Sequence, residues 1–406
     1  MNIKLMRHAD YWLGIPFCFL LSCYNAILKI IPFRPKPKDA AGKILFIKLS
    51  ELGAIILAYP LLKRIKENYP SAKLFFLTFS SNKDVFSLLE EIIPGNNILI
   101  LRDNNPGLIF FDTFKIINRL RKEKIDIVFD LEFFARFTAI LTYLIKAPKR
   151  AGFYRYGFEG LYRGNLLTHK MQYNPLSHIS KNYLSLTQAI QKENKHTPEL
   201  HAYIKDNEIS FPKYVSERTP AEKLRAKLLA LGITAGDKIF LINPGEGVLP
   251  VREWPLNNFV TLAKRILSGI NNRIIIVGAE KTAKKAAILL TEINNNGCVN
   301  LTGQTDLREL MELFLMSAAL ISNDCGLAHL AMLTPINKFI IFGPESPQIF
   351  GAVNGNSHII YSNWPCSPCL SALNHRNSFC QDNKCLKVIS PEEIFALINK
   401  SPGTNS

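Results

Sequence analysis

The chain has 406 residues, 48% of them hydrophobic, and a net charge of +16 from 49 Lys and Arg against 33 Asp and Glu. That length suits two domains and that apolar content fills two cores, which excludes a fibrous or broadly disordered protein. The basic excess calls for an anionic partner, and with no zinc-finger spacing, RNP motif or long Lys/Arg block, a membrane surface or phosphorylated substrate ranks above nucleic acid.

Residues 1–40 read as a membrane-associating segment and linker. Between Asp10 and Lys29 lies an uncharged run, residues 11–28, which at about 18 residues is at the lower limit for crossing a bilayer. Tyr11, Trp12 and Tyr24 suit an interfacial aromatic belt, and Lys29, Arg34, Lys36 and Lys38 follow. Pro16 and Asn25 weigh against a straight span, so the preferred reading is a monotopic or re-entrant anchor. The plainer alternative is an apolar helix packed on the first domain.

From Lys43 the apolar pattern switches between strand and helix period. Lys43–Leu49 predicts a buried strand, Ser50-Glu51-Leu52-Gly53 a turn, and Ala54–Asn68 a helix despite Pro60. Strand and helix candidates then alternate: Leu74–Thr78, Val85–Ile92, Ile98–Leu101, Phe110–Arg121, Ile125–Phe129 and Phe137–Ile145. A polar stretch from Gln191 to Pro220 reads as an interdomain connection. The pattern restarts with Ile239–Ile242, Leu256–Leu267, Ile274–Val277, Thr282–Ile293, Val299–Leu301 and Leu307–Met316. Such alternation predicts an α/β chain with two Rossmann-like domains, 41–215 and 216–406, facing each other across a cleft that binds ligands at the strand ends. Neither half carries G-x-G-x-x-G or G-x-x-x-x-G-K-[ST], which argues against a nicotinamide dehydrogenase and a P-loop NTPase.

The richest motif is Asn323-Asp-Cys-Gly-Leu-Ala-His-Leu-Ala331, after the apolar run Ala318–Ile321. A strand breaking at Asp-x-Gly into a helix offers free backbone N–H groups and a positive dipole end to a diphosphate. Asp324 at the strand end can accept hydrogen bonds from hydroxyls. Of the eight cysteines, Cys366, Cys369, Cys380 and Cys385 cluster near zinc spacing in the C-terminal tail. A structural zinc and reduced thiols are the two readings there, and a catalytic metal is not expected.

From Lys43 to Leu397 the chain resembles glycosyltransferase family 9, the bacterial heptosyltransferases of the lipopolysaccharide inner core. The resemblance is carried in order by Lys48-Leu-Ser-Glu-Leu-Gly-Ala-Ile-Ile-Leu-Ala-Tyr-Pro60, Asn243-Pro-Gly-Glu-Gly247, Arg252-Glu-Trp-Pro255, Asn300-Leu-Thr-Gly-Gln-Thr-Asp-Leu-Arg-Glu-Leu310, the Asn323 motif and Phe342-Gly-Pro344. It implies a GT-B fold and inverting, metal-independent transfer of a heptose-like sugar from a nucleotide-sugar donor, ADP-heptose-like in the commonest case. The implied acceptor is a lipopolysaccharide-core or related glycolipid, reached from the cytoplasmic face of the inner membrane, and no cofactor is required.

The implied roles attach to residues one by one. Gly245 and Gly247 let backbone N–H groups approach phosphate. Arg252 stands where the family has a basic residue, usually Lys, and neutralises charge on the departing diphosphate. Asp324 holds donor-sugar hydroxyls, Cys325 and Gly326 meet the diphosphate, and His329 matches a family histidine. Glu280 is a candidate for the nucleotide ribose. Many family members have Asp after the Gly of the first turn, resembling a general base; here that position is Ala54, which cannot take a proton. Glu51, in the same turn, is the replacement candidate, with a helix-capping acid as its plainer reading. Asp130 and Glu132 are reserve candidates for base or acceptor contact. Arg150 belongs to a basic neighbourhood with Lys146, Lys149, Arg155 and Arg163 that suits an anionic glycolipid. Ala54 also keeps open a rival reading, a catalytically silent homologue that binds nucleotide sugar or glycolipid as an assembly protein.

Overall fold

Two runs of strand–helix alternation build two separate six-stranded parallel sheets. The computed structural model describes residues 3–30, 41–154, 161–192, 199, 203–245, 249–353 and 355–403. It divides into two units, Met1–Ser210 with Ala372–His375, and Phe211–Ser371 with Arg376–Ser406.

The first unit opens with two helices, α1 (Ile3–Trp12) and α2 (Gly14–Ile30), then β1 (Lys43–Ile47), α3 (Leu52–Leu57), α4 (Tyr59–Asn68), β2 (Lys73–Phe79) and β3 (Ile98–Leu101). It continues with α5 (Pro106–Glu123), β4 (Ile127–Asp130), α6 (Arg136–Leu144), β5 (Lys149–Tyr154), β6 (His169–Gln172) and α7 (Ile179–Ala189). The strand order is β3-β2-β1-β4-β5-β6. Period-two alternation divides the apolar residues between the faces: Leu45, Ile47, Phe75, Leu77 and Val128 pack under α5 and α6, while Phe46 stacks on Phe76 and Phe129 on the other side.

The helix expected over Ala54–Asn68 is two helices, because Pro60 lacks the N–H of a helix interior and sits instead in the first turn of α4. Residues Ser80–Leu88 form 3₁₀ turns where a regular element was expected. The basic stretch at Lys149 and Arg150 is strand β5, which alternates its side chains between faces.

The N-terminal helices are fastened along one stripe of α2. Gly14, Cys18, Ser22 and Asn25 recur at helical spacing, and Cys18 packs on Ala139 and Leu166. Ser22 Oγ accepts from Asn165 N at 2.7 Å, and Asn25 Nδ2 donates to Asn165 O at 3.2 Å. Gly164 (φ 68°) runs so close that a Cβ there would lie 2.7 Å from the Cys18 carbonyl oxygen. Asp10 takes the place of a cap on α6, accepting from Arg136 N at 3.0 Å and Phe137 N at 2.7 Å. Residues Leu5–Leu28 have the length and composition to cross a membrane, yet 17% of their most apolar window is buried against the unit. Both readings of this segment thus contain part of the arrangement: a helix packed on the first unit, with most of its apolar surface outward.

The second unit follows the same plan. α8 (Arg218–Ala230), β7 (Lys238–Asn243), α9 (Leu256–Leu267), β8 (Asn272–Ile276), α10 (Ala283–Ile293), β9 (Cys298–Asn300) and α11 (Leu307–Met316) lead to β10 (Ala319–Asn323). Then come α12 (Gly326–Ala331), β11 (Asn337–Phe342), α13 (Pro347–Phe350), β12 (Ser357–Tyr361), α14 (Lys384–Lys387) and α15 (Pro391–Lys400). The strand order is β12-β11-β10-β7-β8-β9. Phe240, Ile242, Ile274, Ile276, Ile321, Phe339 and Ile341 fill the core with Trp254, Phe259 and Leu262.

The capping role of Asp10 has a measurable consequence. Asp10→Ala should destabilise the first unit by about 1–2 kcal/mol, the usual range for a lost helix cap. Hydrogen exchange should quicken at the Arg136 and Phe137 amides and within α1 and α2, and unchanged exchange at those amides would contradict the capping role.

Candidate active site

In each sheet the strand order reverses once, between β1 and β4 in the first unit and between β7 and β10 in the second. Neighbouring connections there leave on opposite faces, and the carboxyl ends of the strands at such a reversal are where open α/β sheets bind ligands. Most of the candidate residues gather at these two points.

In the first unit, Ile47 is in register with Asp130. Directly after β1, Lys48 is 1% exposed, with Nζ donating to Glu132 Oε2 at 2.8 Å and reaching Glu51 Oε2 at 3.5 Å. The other Glu132 oxygen accepts from Leu49 N at 2.8 Å and Ser50 N at 3.1 Å. Glu132 therefore grips the turn through backbone and side chain together. Glu51 starts α3 in the left-handed region (φ 70°), and its carboxylate makes no cap bond to the helix. The capping alternative is not what the geometry contains: the carboxylate is turned to Lys48, with its side chain 36% exposed. Ala54 is buried one turn further on.

Asp130 and Arg150 occupy different settings from those expected. Asp130 has no exposed surface; it accepts from Arg163 Nη2, from Thr138 Oγ1 at 3.0 Å and from Glu132 N at 3.1 Å. Burial pushes its carboxyl up and the Arg163 guanidinium opposes that push. It holds the loop that carries Glu132, rather than presenting a carboxylate outward. Arg150 donates from Nε to Leu166 O at 2.8 Å and from Nη1 to Ala147 O at 2.6 Å, so it ties loops together. Arg163, read as part of a basic surface, is buried. Arg155 lies outside the described residues.

In the second unit, Asn323 and Asp324 at the end of β10 hold the segments that follow β7. Asn323 Nδ2 donates to Pro244 O at 3.1 Å, and its Oδ1 accepts from Trp254 N at 2.9 Å. Arg252 Nη2 donates to Asp324 O at 2.7 Å and to Asp324 Oδ2 at 2.6 Å. Asp324 is 3% exposed; burial pushes its carboxyl up, and Arg252 pulls it back. His329, one turn into α12, has Nε2 at 3.9 Å from Asp324 Oδ1. Burial first, and the Arg252 charge second, lower its pKa to about 4, so the ring is neutral at pH 7.

Cys325 precedes α12 and is buried, its thiol pushed up by burial; Asn243 Nδ2 donates to its Sγ at 3.1 Å. Gly326 opens α12. Gly245 N donates to Asn243 Oδ1 at 3.2 Å, and a Cβ at Gly245 would meet the Thr282 methyl, so a larger residue would have to displace that side chain. Gly247 lies outside the described residues. Glu280 begins an exposed turn beside Gly303.

Among the described residues no group of three or more His, Cys, Asp or Glu side chains is arranged to hold a metal, and all eight cysteines are free thiols. Cys385 is buried while Cys366 and Cys380 are exposed and Cys369 is half-buried; burial, with the three other thiols adding to it, pushes the Cys385 thiol up to about 11. Lys48, Asn243 and Asn323 organise the two points and were not singled out from sequence. The available signal was a polar residue at the last position of an apolar strand run or just after it, where a buried side chain must find partners.

Two outcomes follow from this geometry. Arg252→Ala strands a buried carboxylate and should destabilise the second unit by about 3 kcal/mol, as lost partners of buried ion pairs do. Adding Asp324→Asn should recover much of that loss in urea unfolding, whereas simple additivity of the two changes would deny the coupling. His329 keeps a folded pKa of about 4 against an ordinary value of 6.5. Below pH 6.5 the unfolded chain therefore binds a proton that the folded chain does not, and stability falls until about pH 4. His169, lowered to about 4 mainly by burial, adds to the same window. His329→Asn should flatten the fall in Tm between those pH values, and an unchanged slope would contradict a neutral buried ring.

Comparison with known proteins agrees with the fold. The family model of glycosyltransferase family 9 (heptosyltransferase) matches residues 113–379. The lipooligosaccharide heptosyltransferase 2 of Haemophilus ducreyi is 25% identical over 318 residues, 75% of this chain and 84% of that protein. The structure of E. coli ADP-heptose lps heptosyltransferase II superposes with a TM-score of 0.65 at 17% identity, covering 88% of this chain and 97% of that one. E. coli heptosyltransferase WaaC with ADP-2-deoxy-2-fluoro heptose gives 0.59 at 14% identity, covering 88% and 99%. With a family match over most of its length and the GT-B architecture of these neighbours, the chain belongs to glycosyltransferase family 9 and is a glycosyltransferase.

Proposed function

We propose that this glycosyltransferase moves a heptose-like sugar from an ADP-heptose-like donor to a lipopolysaccharide-core or related glycolipid, with inversion and without a required metal. The observation that carries the reading is the Arg252–Asp324 pair at the β7/β10 reversal, with neutral His329 beside it. Support for the substrates comes from the relatives, one a lipooligosaccharide heptosyltransferase and one bearing a fluorinated ADP-heptose.

The second unit takes the donor and the first the acceptor. Asp324 accepts from donor-sugar hydroxyls, and the backbone around Cys325 and Gly326 meets the diphosphate. Glu280 serves the ribose, and Gly245 and Gly247 admit the phosphates closely. An acceptor hydroxyl oxygen attacks the anomeric carbon from the face opposite the diphosphate. As that bond forms, the bond from the anomeric carbon to the phosphate oxygen breaks, and the hydroxyl proton passes to Glu51. Negative charge then grows on the leaving diphosphate, where Arg252 supplies a fixed cation in place of a metal. Lys48 and Glu132 orient the Glu51 turn, and Asp130 and Arg150 act structurally. Residues 11–28 hold the enzyme on the cytoplasmic face of the inner membrane, where a lipid acceptor is found.

The test is mass spectrometry of nucleoside diphosphate release across a panel of nucleotide sugars, with and without a lipopolysaccharide-core extract. Release from one donor that depends on the extract is the expected result. Glu51→Gln should lower kcat by about a hundredfold or more while donor affinity stays constant. Full turnover by that variant would move the base elsewhere. No release from any donor by folded protein would favour the silent homologue, for which Ala54 is the specific support.

A further inference from the structure

Helix α5 carries both buried and exposed apolar residues. Ile116, Ile117 and Leu120 are buried in the layer it shares with α6, while Phe110, Phe111 and Phe114 are 78%, 61% and 64% exposed. Three phenylalanines within five residues place a large apolar area on a surface helix, far beyond the scatter of single exposed residues. The exposed side of the same helix continues with Lys115, Arg119 and Lys122.

The helix that bears this patch is linked to the N-terminal helices through α6. α5 and α1 both touch α6, and α2 lies along it. Met6 of α1 packs on the core layer that holds Ile116 and Leu120. α1, α5 and α6 therefore meet on one face of the first sheet, with α2 packed on α6. Away from that face, α1 and α2 expose Trp12, Phe17, Leu20, Tyr24 and Ile27. The first unit is also the more basic one: residues 1–210 hold 30 Lys and Arg against 18 Asp and Glu, a net of +12 out of +16.

We propose that the Phe110–Phe111–Phe114 face of α5 is a second membrane-inserting element, which together with α1 and α2 seats the first unit on an anionic bilayer. The inference rests on the membrane reading of residues 11–28 and adds to it a separate point of contact. One apolar anchor gives reversible binding and leaves rotation about itself free, whereas two anchors with a basic surround bind more firmly and fix the orientation.

The experiment uses the full chain and sedimentation with vesicles of phosphatidylcholine alone or mixed with phosphatidylglycerol. Phe110→Ser with Phe111→Ser and Phe114→Ser should reduce partitioning onto the anionic vesicles at least about tenfold. Nucleoside diphosphate release with a delipidated core acceptor should be unchanged. A Phe111→Trp reporter should shift its emission to the blue on anionic vesicles. Wild-type partitioning by the triple variant, or an unshifted reporter, overturns this inference and leaves the anchor of residues 11–28 standing. A wild-type chain that binds neither vesicle overturns the membrane reading as a whole. If the triple substitution instead converts a dimer to a monomer in light scattering with vesicle binding intact, the patch belongs to a second copy and the proposal fails.

Discussion

Reversal of strand order in a right-handed parallel sheet is the constraint from which both candidate sites follow. Crossovers that run β1-β2-β3 in one direction and β4-β5-β6 in the other must leave the sheet on opposite faces. No helix connection then covers the ends of β1 and β4, and the same holds for β7 and β10. The chain fills each exposed end with a cation and a carboxylate from adjoining strands: Lys48 with Glu132, and Arg252 with Asp324. The two units thus repeat one solution with different residues.

Such pairs contribute little net stability, because removing two charges from water costs about as much as their attraction returns. What they supply is a defined geometry. Glu132 spends one oxygen on Lys48 and the other on two backbone N–H groups, and Asn323 holds Pro244 and Trp254 from opposite ends of its amide. In each case the side chain spans the gap that the reversal opens. The loop bearing Arg252 is then positioned by β10, two crossovers further along the chain.

Much of the architecture was legible in the sequence because buried parallel strands and amphipathic helices have distinct periods. α9 and α11 coincide with the helices expected at Leu256–Leu267 and Leu307–Met316. The acid at Asp324 was legible because it follows an apolar strand, and the cation at Arg252 because motif order set it just before Trp254-Pro255. Other features depend on three-dimensional partners. Lys149–Tyr154 reads as a basic loop until β4 and β6 are present on either side of it. Asp130 reads as an outward carboxylate until Arg163, distant in sequence, closes over it. The exposure of Phe110, Phe111 and Phe114 was not legible, since composition alone cannot say which face of an apolar helix meets the sheet.

The first turn shows how the loss of one carboxylate bears on backbone geometry. A glutamate in the left-handed region costs on the order of 1 kcal/mol and persists only where its surroundings over-determine it. At Glu51 they do: Glu132 fixes the two preceding amides, and the Glu51 carbonyl accepts from Ala54 N at 2.9 Å and starts α3. Ala54 offers no carboxylate there, Glu132 and Asp130 are held by Lys48, backbone amides and Arg163, and Glu51 is the acid at the β1/β4 reversal whose side chain is 36% exposed. The left-handed kink directs the Glu51 side chain to Lys48 instead of to the free N–H groups of α3, where an acid in ordinary helix-capping geometry would have gone. The strain at this residue and the missing acid three positions later are therefore two sides of the same arrangement, which is why the proposed base is sought at Glu51.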